Sequence, residues 1–416
     1  DPRYPAACST PHPTPEDRFA MERLDGARQS YDWGSTTAIP EMLGLEPDGA
    51  PWAEQWYGAH PAGPTRLADG RTLAALLASD PGRLLGEDVV RRFGPQLPFL
   101  LKVIAPDRAL SLQVHPSLEQ AVRGFERENA ADVAPDSPVR SFKDSNHKPE
   151  MVLALTRFEA VAGFRAPRRA AEVLGGLDSP PARRMRRTLR LNPTRFGIRQ
   201  AFTELVSADT RPEASEMAEL VAEISRRLAE GRSPSRRVDA NVVEMARAFP
   251  HDPGIAAALL LNPVTLRRGE ALFVPAGSVH AYISGLGVEV MASSDNVLRA
   301  GLTTKHVNVP AMLACVDYVA APPVRPAPEY LSRATRAYYA PVDDFELLVT
   351  TVVPRDGRVP VPGRGPRILL GLEGTTTVTT PAGSAELTRG RALFVGADER
   401  TLAVEGEGEF VQADVP

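Results

Sequence analysis

Two side chains in the stretch SLQVHPSLEQ (residues 111–120) have the types and spacing of ligands. Gln113 and His115 stand two residues apart in an apolar run, so on a β-strand both point to one face while Leu112 and Val114 point to the other. An amide oxygen and an imidazole aimed at one point can bind a metal ion. Because a lone histidine on a strand is more often a hydrogen-bonded structural residue, the pair alone leaves both interpretations open.

Two further residues offer donors of the same kind. Glu150 follows NHKP and opens the apolar strand EMVLAL, and His280 closes the turn VPAGSVHAY where the chain re-enters a strand. Together with Gln113 and His115 they provide two oxygen and two nitrogen donors, a set that suits zinc or another divalent first-row metal. On composition and spacing alone, a metal site and four unrelated structural residues are equally good interpretations.

Charged residues recur in VEVMASSDNVLRAGLTTK (residues 288–305). Four of them stand at odd-numbered positions, so an unbroken strand would place them on one face: Glu289, Asp295, Arg299 and Lys305. The SSDN turn within the segment argues against such continuity. Facing inward, these groups would suit an anionic, hydroxyl-bearing ligand, and the alternative is a solvated face with paired charges. Lys102 and Lys148 raise the same question, because each stands within or beside an apolar strand.

The elements that must position these side chains change character along the chain. From Leu24 to Phe164 short apolar segments broken by Gly, Pro, Asn and Asp predict β-strands. Helical spacing replaces them between Ala166 and Leu261, as in ASEMAELVAEISRRLAEG, where one apolar stripe comprises Met217, Leu220, Val221, Ile224 and Leu228. Strand patterns return after Pro263. The near-copies RGEALFVPAG (268–277) and RGRALFVGAD (389–398) indicate two copies of one sheet architecture, or a shared strand-turn phrase without common ancestry.

Composition excludes several classes of protein. The 416 residues are 43% apolar and 24% charged with a formal charge of −4, typical of a globular protein of two or three domains rather than one that coats nucleic acid. The longest apolar stretches fall short of the ~20 residues of a membrane-spanning helix. Two cysteines are too few for a disulfide framework, which indicates a cytoplasmic protein. The Pro-rich residues 1–20 predict a disordered leader and not a signal peptide.

Several long motifs resemble type I mannose-6-phosphate isomerases (phosphomannose isomerases), zinc enzymes of the cupin class. The resemblance runs from about Glu22 to the end of the chain, and its motifs are YDWGS (31–35), AEQWYGAHP (53–61), LPFLLKVIAPDRALSLQVHPS (97–117), NHKPEM (146–151) and VPAGSVHAYISGLGVEVMASSDNVLRAGLTTK (274–305). With the strand and helix patterns it predicts a mainly β fold with a helical insertion. The expected parts are a cupin jelly-roll catalytic domain (21–165 plus 262–325), a helical insertion domain (166–261) and a second, C-terminal cupin-like β domain (326–416).

The resemblance also implies roles for the residues singled out above. Carried over position by position, the ligands of one Zn²⁺ per chain are Gln113, His115, Glu150 and His280. The catalytic residues are Arg299, Lys148 and Glu289, and the substrate and phosphate contacts are Ser111, Lys102, Lys305 and Asp295. The implied reaction interconverts mannose 6-phosphate and fructose 6-phosphate through a cis-enediol, either for GDP-mannose and glycan synthesis or for glycolysis. Lys148, Glu289 or a water on the metal could be the base, and the sequence does not choose among them.

Two other functions remain open at this stage. A metal-dependent cupin dioxygenase would use similar strand-borne ligands, although Gln and Glu in place of a third His make it less attractive. A catalytically silent sugar-binding cupin predicts a lost ligand or a lost Arg299, and the sequence shows neither loss. We expect a monomer that binds a small sugar phosphate and has no nucleic-acid or membrane partner.

Overall fold

The structure is a computed structural model that describes residues 21–416, so the leader predicted at residues 1–20 lies outside the described residues. Most of the described chain is organised around β-strands, which confirms the mainly β class. The strands are β1 (Glu22–Asp25), β2 (Ala27–Gln29), β3 (Glu54–Tyr57), β4 (Arg66–Leu67), β5 (Phe99–Ile104), β6 (Leu112–Val114), β7 (Glu150–Ala154), β8 (Phe158–Phe164), β9 (Leu261–Leu266), β10 (Ala271–Val274), β11 (His280–Ser284), β12 (Gly287–Ala292), β13 (Leu298–Gly301), β14 (Glu329–Tyr330), β15 (Thr335–Tyr338), β16 (Glu346–Val352), β17 (Val359–Val361), β18 (Arg367–Thr380), β19 (Gly383–Thr388), β20 (Ala392–Val395) and β21 (Leu402–Asp414).

The described residues also form twelve α-helices, and five of them precede the predicted helical region. The helices are α1 (Ala38–Leu43), α2 (Leu73–Ser79), α3 (Pro81–Leu85), α4 (Glu87–Phe93), α5 (Leu118–Ala130), α6 (Pro167–Val173), α7 (Pro180–Leu191), α8 (Arg195–Val206), α9 (Ala214–Ala229), α10 (Arg236–Ala248), α11 (Gly254–Ala257) and α12 (Val309–Cys315). None of them is long and apolar enough to cross a membrane.

Two antiparallel sheets face each other across a shared apolar interior. The six-stranded sheet has the order β10-β7-β12-β5-β3-β2, and the five-stranded sheet has the order β13-β6-β11-β8-β9. Side chains from both sheets form one hydrophobic cluster, for example Ile104 and Val152 from the first with Phe158 and Tyr282 from the second. Alternation along each strand therefore aims every second residue into the space between the sheets.

The helical region covers the outer face of the five-stranded sheet. Leu112 and Val114 of β6 lie in the same hydrophobic cluster as the helical residues Met217, Leu220 and Ile224. These three members of the predicted stripe are buried on α9, which confirms the helical period, while Val221 and Leu228 are half-buried. The apolar side of the SLQVH strand thus packs against helices and leaves its polar side for the interior.

A ten-stranded sheet covers the opposite face of the six-stranded sheet. Its main path is β14-β15-β16-β21-β18-β20-β1-β4, with β17 beside β21 and β19 beside β18. Because the six-stranded sheet is buried on both faces, its strand β5 is apolar throughout except for Lys102. The near-copies RGEALFVPAG and RGRALFVGAD have the same local structure. Each contains a glycine with positive φ (Gly269, 81°, and Gly390, 76°), and a buried four-residue strand, β10 or β20, follows it.

One expectation needs correction, namely that strands dominate residues 24–164, because α1–α5 interrupt them. A capping box marks the start of α5, where Ser117 Oγ accepts from the Gln120 N–H and the Gln120 side chain accepts from the Ser117 N–H, so S-x-x-Q was a readable signal. The argument from the SSDN turn against one unbroken strand over residues 289–305 is confirmed, because β12 and β13 belong to different sheets and residues 293–297 cross between them.

Candidate active site

The five-stranded sheet brings three of the predicted site residues onto one face. Gln113 in the centre of β6 lies directly opposite His280 of β11 on one side and Arg299 of β13 on the other. Directly opposed residues in antiparallel strands share a face. His115 follows β6 two residues after Gln113 and is fully buried. The register of three strands therefore assembles residues that are up to 186 positions apart in the chain.

The six-stranded sheet supplies the acidic partner from the other side. Glu150 begins β7, where it lies opposite Val274 of β10 and Met291 of β12. Glu150 Oε1 lies 3.3 Å from His115 Nε2, and Glu150 Oε2 lies 3.4 Å from His280 Nε2. Gln113 Nε2 lies 3.3 Å from His280 Nε2, so the amide also reaches this cluster.

These donors form a centre with the properties of a metal site. Ligand atoms of His115, Glu150 and His280 all lie within 4.8 Å of one another, and all three residues are buried. Within the part of the chain that the structure describes, His115 Nε2 and Glu150 Oε2 are buried atoms without a hydrogen-bond partner. Orphaned buried polar atoms are costly, and a cation between two imidazoles and a carboxylate would satisfy both of them. The residues present therefore fit a divalent metal ion.

Backbone carbonyls fix the orientation of both imidazole rings. His115 Nδ1 lies 2.8 Å from the carbonyl oxygen of Asn296, and His280 Nδ1 lies 3.0 Å from the carbonyl oxygen of Ser278. Since a carbonyl can only accept, each Nδ1 carries the proton and donates it. Each Nε2 is then left with a free lone pair directed at Glu150, as a metal-ligating histidine requires.

The electrostatics of the centre favour ionised carboxylate and neutral imidazole. Burial raises the pKa of Glu150, but the charge of the neighbouring Lys148 ammonium opposes this shift and holds that pKa well below its usual value. Burial lowers the pKa of His115 to about 4, although Glu150 opposes this shift. A carboxylate and neutral imidazoles are the protonation states that bind metal.

A second charged group lies on the inner face of the six-stranded sheet. Lys102 of β5 is opposite Glu289 of β12, and Lys102 Nζ lies 3.3 Å from Glu289 Oε2 and 3.8 Å from Glu54 Oε1. Burial and the charge of Glu150 raise the pKa of Glu289, against the opposing charge of Lys102. Burial lowers the pKa of Lys102, but the two carboxylates outweigh it and keep this lysine charged. Lys148 Nζ bonds directly to Glu150 Oε1.

The remaining predicted residues are more accessible. Arg299 is half-buried and forms no hydrogen bond or ion pair with the residues of the described chain, and its desolvation lowers the pKa of its guanidinium. Lys305 is exposed, and partial burial together with Arg299 lowers its pKa. Ser111, half-buried, stands two residues before Gln113. Asp295 has a side chain that is 51% exposed. Arg299, Lys305 and Ser111 remain available to an incoming anion, whereas the Asp295 carboxylate can accept hydrogen bonds.

Comparison with known proteins agrees with this geometry. A family model described as the catalytic domain of type I phosphomannose isomerase matches residues 21–167. The mannose-6-phosphate isomerase of Escherichia coli K12 is 34% identical over 94% of this chain and 99% of its own, and that of rat is 31% identical over 90% and 93%. The chain belongs to the mannose-6-phosphate isomerase family. The resemblance noted from the motifs and the prediction of an enzyme of this family are thereby confirmed.

Solved structures of this family have the same fold. A mannose 6-phosphate isomerase crystallised with zinc and yttrium superimposes with a TM-score of 0.86 at 32% identity, covering 95% of this chain and 99% of the other. The apo form from Salmonella typhimurium also gives 0.86 at 32% identity, with coverage of 96% and 100%. The structural similarity therefore extends over the five-stranded, the six-stranded and the ten-stranded sheets.

Sequence reasoning missed several residues that surround the site of this family member. His60 Nε2 lies 3.1 Å from Asp295 Oδ2, and His60 Nδ1 accepts from the Ala62 N–H, so the ring donates to Asp295. The hydrogen bond with His60 helps to hold the pKa of Asp295 below its usual value, although burial raises it. Glu54 accepts from the Trp56 indole and faces Lys102. The missed residues Glu54 and His60 both lie in AEQWYGAHP (53–61). A Glu and a His within this strand motif were the sequence signal that could have identified them.

Proposed function

We propose that this chain is a zinc-dependent aldose–ketose isomerase that interconverts mannose 6-phosphate and fructose 6-phosphate through a cis-enediol. The observation that carries the proposal is the buried convergence of His115, Glu150 and His280, with two orphaned ligand atoms, in a member of the mannose-6-phosphate isomerase family. A zinc-bound relative of the same fold supports the choice of metal. We further propose that the two facing sheets form a cupin jelly roll.

We propose that His115, Glu150, His280 and Gln113 would hold one zinc ion per chain. Gln113 would turn its amide oxygen inward, which is the opposite assignment of oxygen and nitrogen from the one that places Nε2 beside His280. When bound, zinc supplies Lewis-acid polarisation of a carbonyl and stabilisation of developing negative charge, worth several kcal/mol. Asn296 and Ser278 support the proposal, because their carbonyls orient the two imidazoles.

The accessible cations would bind and orient the open-chain sugar. Arg299 lies beside Gln113 in the sheet register and has no partner among residues 21–416, so its planar guanidinium is free to face two substrate oxygens. Lys305 and Ser111 would contact the phosphate on C6, and Asp295, held by His60, would accept from a sugar hydroxyl. Phosphate binding far from C1 and C2 holds the sugar in register for the reaction.

Proton transfer needs a group that removes the proton from C2 and returns one to C1. Glu289 is 2% exposed, and burial together with Glu150 raises its pKa toward the range where a carboxyl can both accept and donate a proton. Lys102 holds its carboxylate by the 3.3 Å contact. Lys148, bonded to Glu150, is the second candidate, and comparison of Glu289→Gln with Lys148→Met in single-turnover proton exchange would separate them.

The domain organisation, the oligomeric state, the compartment and the metabolic role complete the proposal. We propose a cytoplasmic monomer with a catalytic domain (21–165 plus 262–325), a helical domain (166–261) and a C-terminal domain (326–416). It would supply mannose 6-phosphate for glycan synthesis or feed mannose into glycolysis. Strands β1 and β4 belong to the ten-stranded sheet. The first residues of the catalytic domain would therefore also stabilise the C-terminal domain.

Metal removal tests the central proposal. Metal content of the purified protein is measured beside a coupled assay on mannose 6-phosphate, before and after chelation and after re-addition of zinc. We expect one zinc per chain, loss of activity with the metal, and recovery with zinc. Full activity of the metal-free protein would overturn the proposal. Oxygen consumption that depends on ferrous iron would instead favour the cupin dioxygenase.

Replacing the substrate tests the phosphate contacts. Because phosphate binding energy is used to position C1 and C2, unphosphorylated mannose should show a kcat/KM lower by roughly 10³-fold or more. The same coupled assay with mannose measures this ratio in the wild type and in Lys305→Met. The variant should lose activity on the phosphorylated sugar and change little on mannose. Equal kcat/KM for the two sugars contradicts the assigned phosphate site.

A further inference from the structure

The second and third helices of the helical layer carry an unusual distribution of charge. Residues 179–203 contain no Asp, Glu or Lys and seven arginines, although the whole chain has a formal charge of −4. The seven are Arg183, Arg184, Arg186, Arg187, Arg190, Arg195 and Arg199. None of them belongs to the active site described above.

The fold turns these arginines outward. Ala182, Met185 and Leu189 recur at three- and four-residue spacing on α7 and are buried against the sheet. Arg187 and Arg190 lie on the other side of that helix and are exposed. On α8 the buried residues include Ile198 and Phe202, whereas Arg195 and Arg199 are exposed.

Intramolecular pairing neutralises little of this charge. Arg184 binds Glu216 at 2.9 Å, and the Arg183 and Arg186 side chains donate to backbone carbonyls. Within residues 21–416, Arg187 and Arg190 have no carboxylate partner, and Arg195 and Arg199 contact only aromatic rings, those of Phe196 and Tyr318. An exposed group of unpaired guanidiniums therefore remains.

Two large apolar side chains project from the same end of the helix pair. Leu191, the last residue of α7, is 76% exposed, and Phe196, the second residue of α8, is 59% exposed. Only the turn of residues 192–194 separates the two helices. We call the group Arg187, Arg190, Leu191, Arg195 and Phe196 the basic tip. Adjacent large apolar side chains that are exposed to water beside several arginines indicate a surface that interacts with another molecule.

We propose that the basic tip binds an anionic lipid surface and holds the enzyme peripherally on a membrane. Guanidiniums attract anionic head groups, while Leu191 and Phe196 enter the boundary between head groups and acyl chains. A second copy of this chain fits poorly, because two basic tips repel each other. Nucleic acid fits less well than lipid, because the protruding apolar side chains would remain partly in water beside a phosphate backbone. This departs from the expectation of no membrane partner.

Vesicle flotation of the full-length protein tests the proposal. Vesicles of phosphatidylcholine with phosphatidylglycerol are compared with vesicles of phosphatidylcholine alone, at low and high salt. We expect binding only to the anionic vesicles, weakened by salt. Arg187→Gln with Arg190→Gln should lower the partition coefficient roughly twentyfold, from the loss of two surface cations. Leu191→Ser with Phe196→Ser should lower it roughly tenfold, from the loss of inserted apolar area.

Matched variants elsewhere on the surface provide the controls. Arg355→Gln with Arg358→Gln removes the same charge from an exposed segment, and Tyr330→Ser with Leu331→Ser removes exposed apolar groups, 71% and 41% exposed. Both controls should bind like the wild type, and all variants should keep wild-type isomerase activity and melting temperature. Absence of wild-type binding to anionic vesicles overturns the proposal, as does unchanged binding of either tip variant. Preferential binding of duplex DNA over vesicles overturns it too.

Discussion

Two buried atoms, His115 Nε2 and Glu150 Oε2, lack a hydrogen-bond partner among residues 21–416 and mark the chemistry of the site most directly. Alternation along one strand predicts that Gln113 and His115 share a face, and the structure confirms that Leu112 and Val114 face the opposite side. The contact between Lys102 and Glu289 could not be predicted in the same way, because it depends on the register between β5 and β12. The type of a side chain and the alternation along a strand can be read from the local sequence. The register between two distant strands cannot.

Arg299 is the residue whose replacement should affect turnover most selectively. Arg299→Ala removes a cation that has no partner among the described residues, so the fold should lose little stability. Because the guanidinium would stabilise charge that develops on the substrate oxygens, kcat should fall roughly 10²–10³-fold with a smaller rise in KM. Steady-state kinetics on mannose 6-phosphate measure both. Arg299→Lys keeps the charge without the planar fork and should recover only part of the rate. An unchanged kcat in Arg299→Ala would remove this assignment.

At the scale of elements, the segment 293–297 between β12 and β13 organises the centre. It crosses from the six-stranded to the five-stranded sheet, and the sequence indicated this break only through the SSDN turn. The fully buried Asn296 donates from Nδ2 to the carbonyls of Asp144 and Asn146 and accepts at Oδ1 from the Lys143 N–H. Its own carbonyl accepts from His115. One residue thus links the loop before Glu150, through its side chain, to the strand end that carries His115, through its backbone carbonyl.

Replacing Asn296 tests this linkage. Asn296→Ala should lower the free energy of unfolding by about 3 kcal/mol, since buried backbone groups of the loop lose their partners. The affinity for zinc should fall roughly 10- to 100-fold, because the support of His115 loosens. Urea unfolding and competition with a chromophoric chelator measure the two effects. Asn241→Ala is the matched control, since Asn241 is also buried but its Nδ2 has no hydrogen-bond partner in the described chain. Equal zinc affinity in the wild type and Asn296→Ala would contradict the linkage.

At the scale of the whole molecule, four layers stack in the order helices, five-stranded sheet, six-stranded sheet and ten-stranded sheet. Composition and periodicity predict the helical and the strand-rich regions, but not that β1 joins the last sheet and brings its partner β4 with it, because β1 pairs with β20 more than 300 positions away. The last layer also contains a buried polar group outside the active site. Asp414 at the end of β21 accepts from the Val415 N–H and from Gln412, and Arg367 lies near it, fully buried.

Asp414 should make this layer sensitive to pH. Burial raises the pKa of Asp414 to about 7, although the charge of Arg367 opposes the shift. Because the folded state then holds the proton more tightly than the unfolded state, the contribution to stability is greatest below the unfolded pKa near 4 and is lost as pH rises through about 7. Asp414→Asn, which resembles the protonated acid, should therefore gain stability relative to the wild type across this range, by up to about 4 kcal/mol. Urea unfolding at a series of pH values measures the difference. Asp343→Asn, at a side chain 87% exposed, should show a difference that stays flat with pH. If the Asp414→Asn difference were equally flat, the carboxyl would be ionised throughout, and Arg367 rather than burial would control its charge.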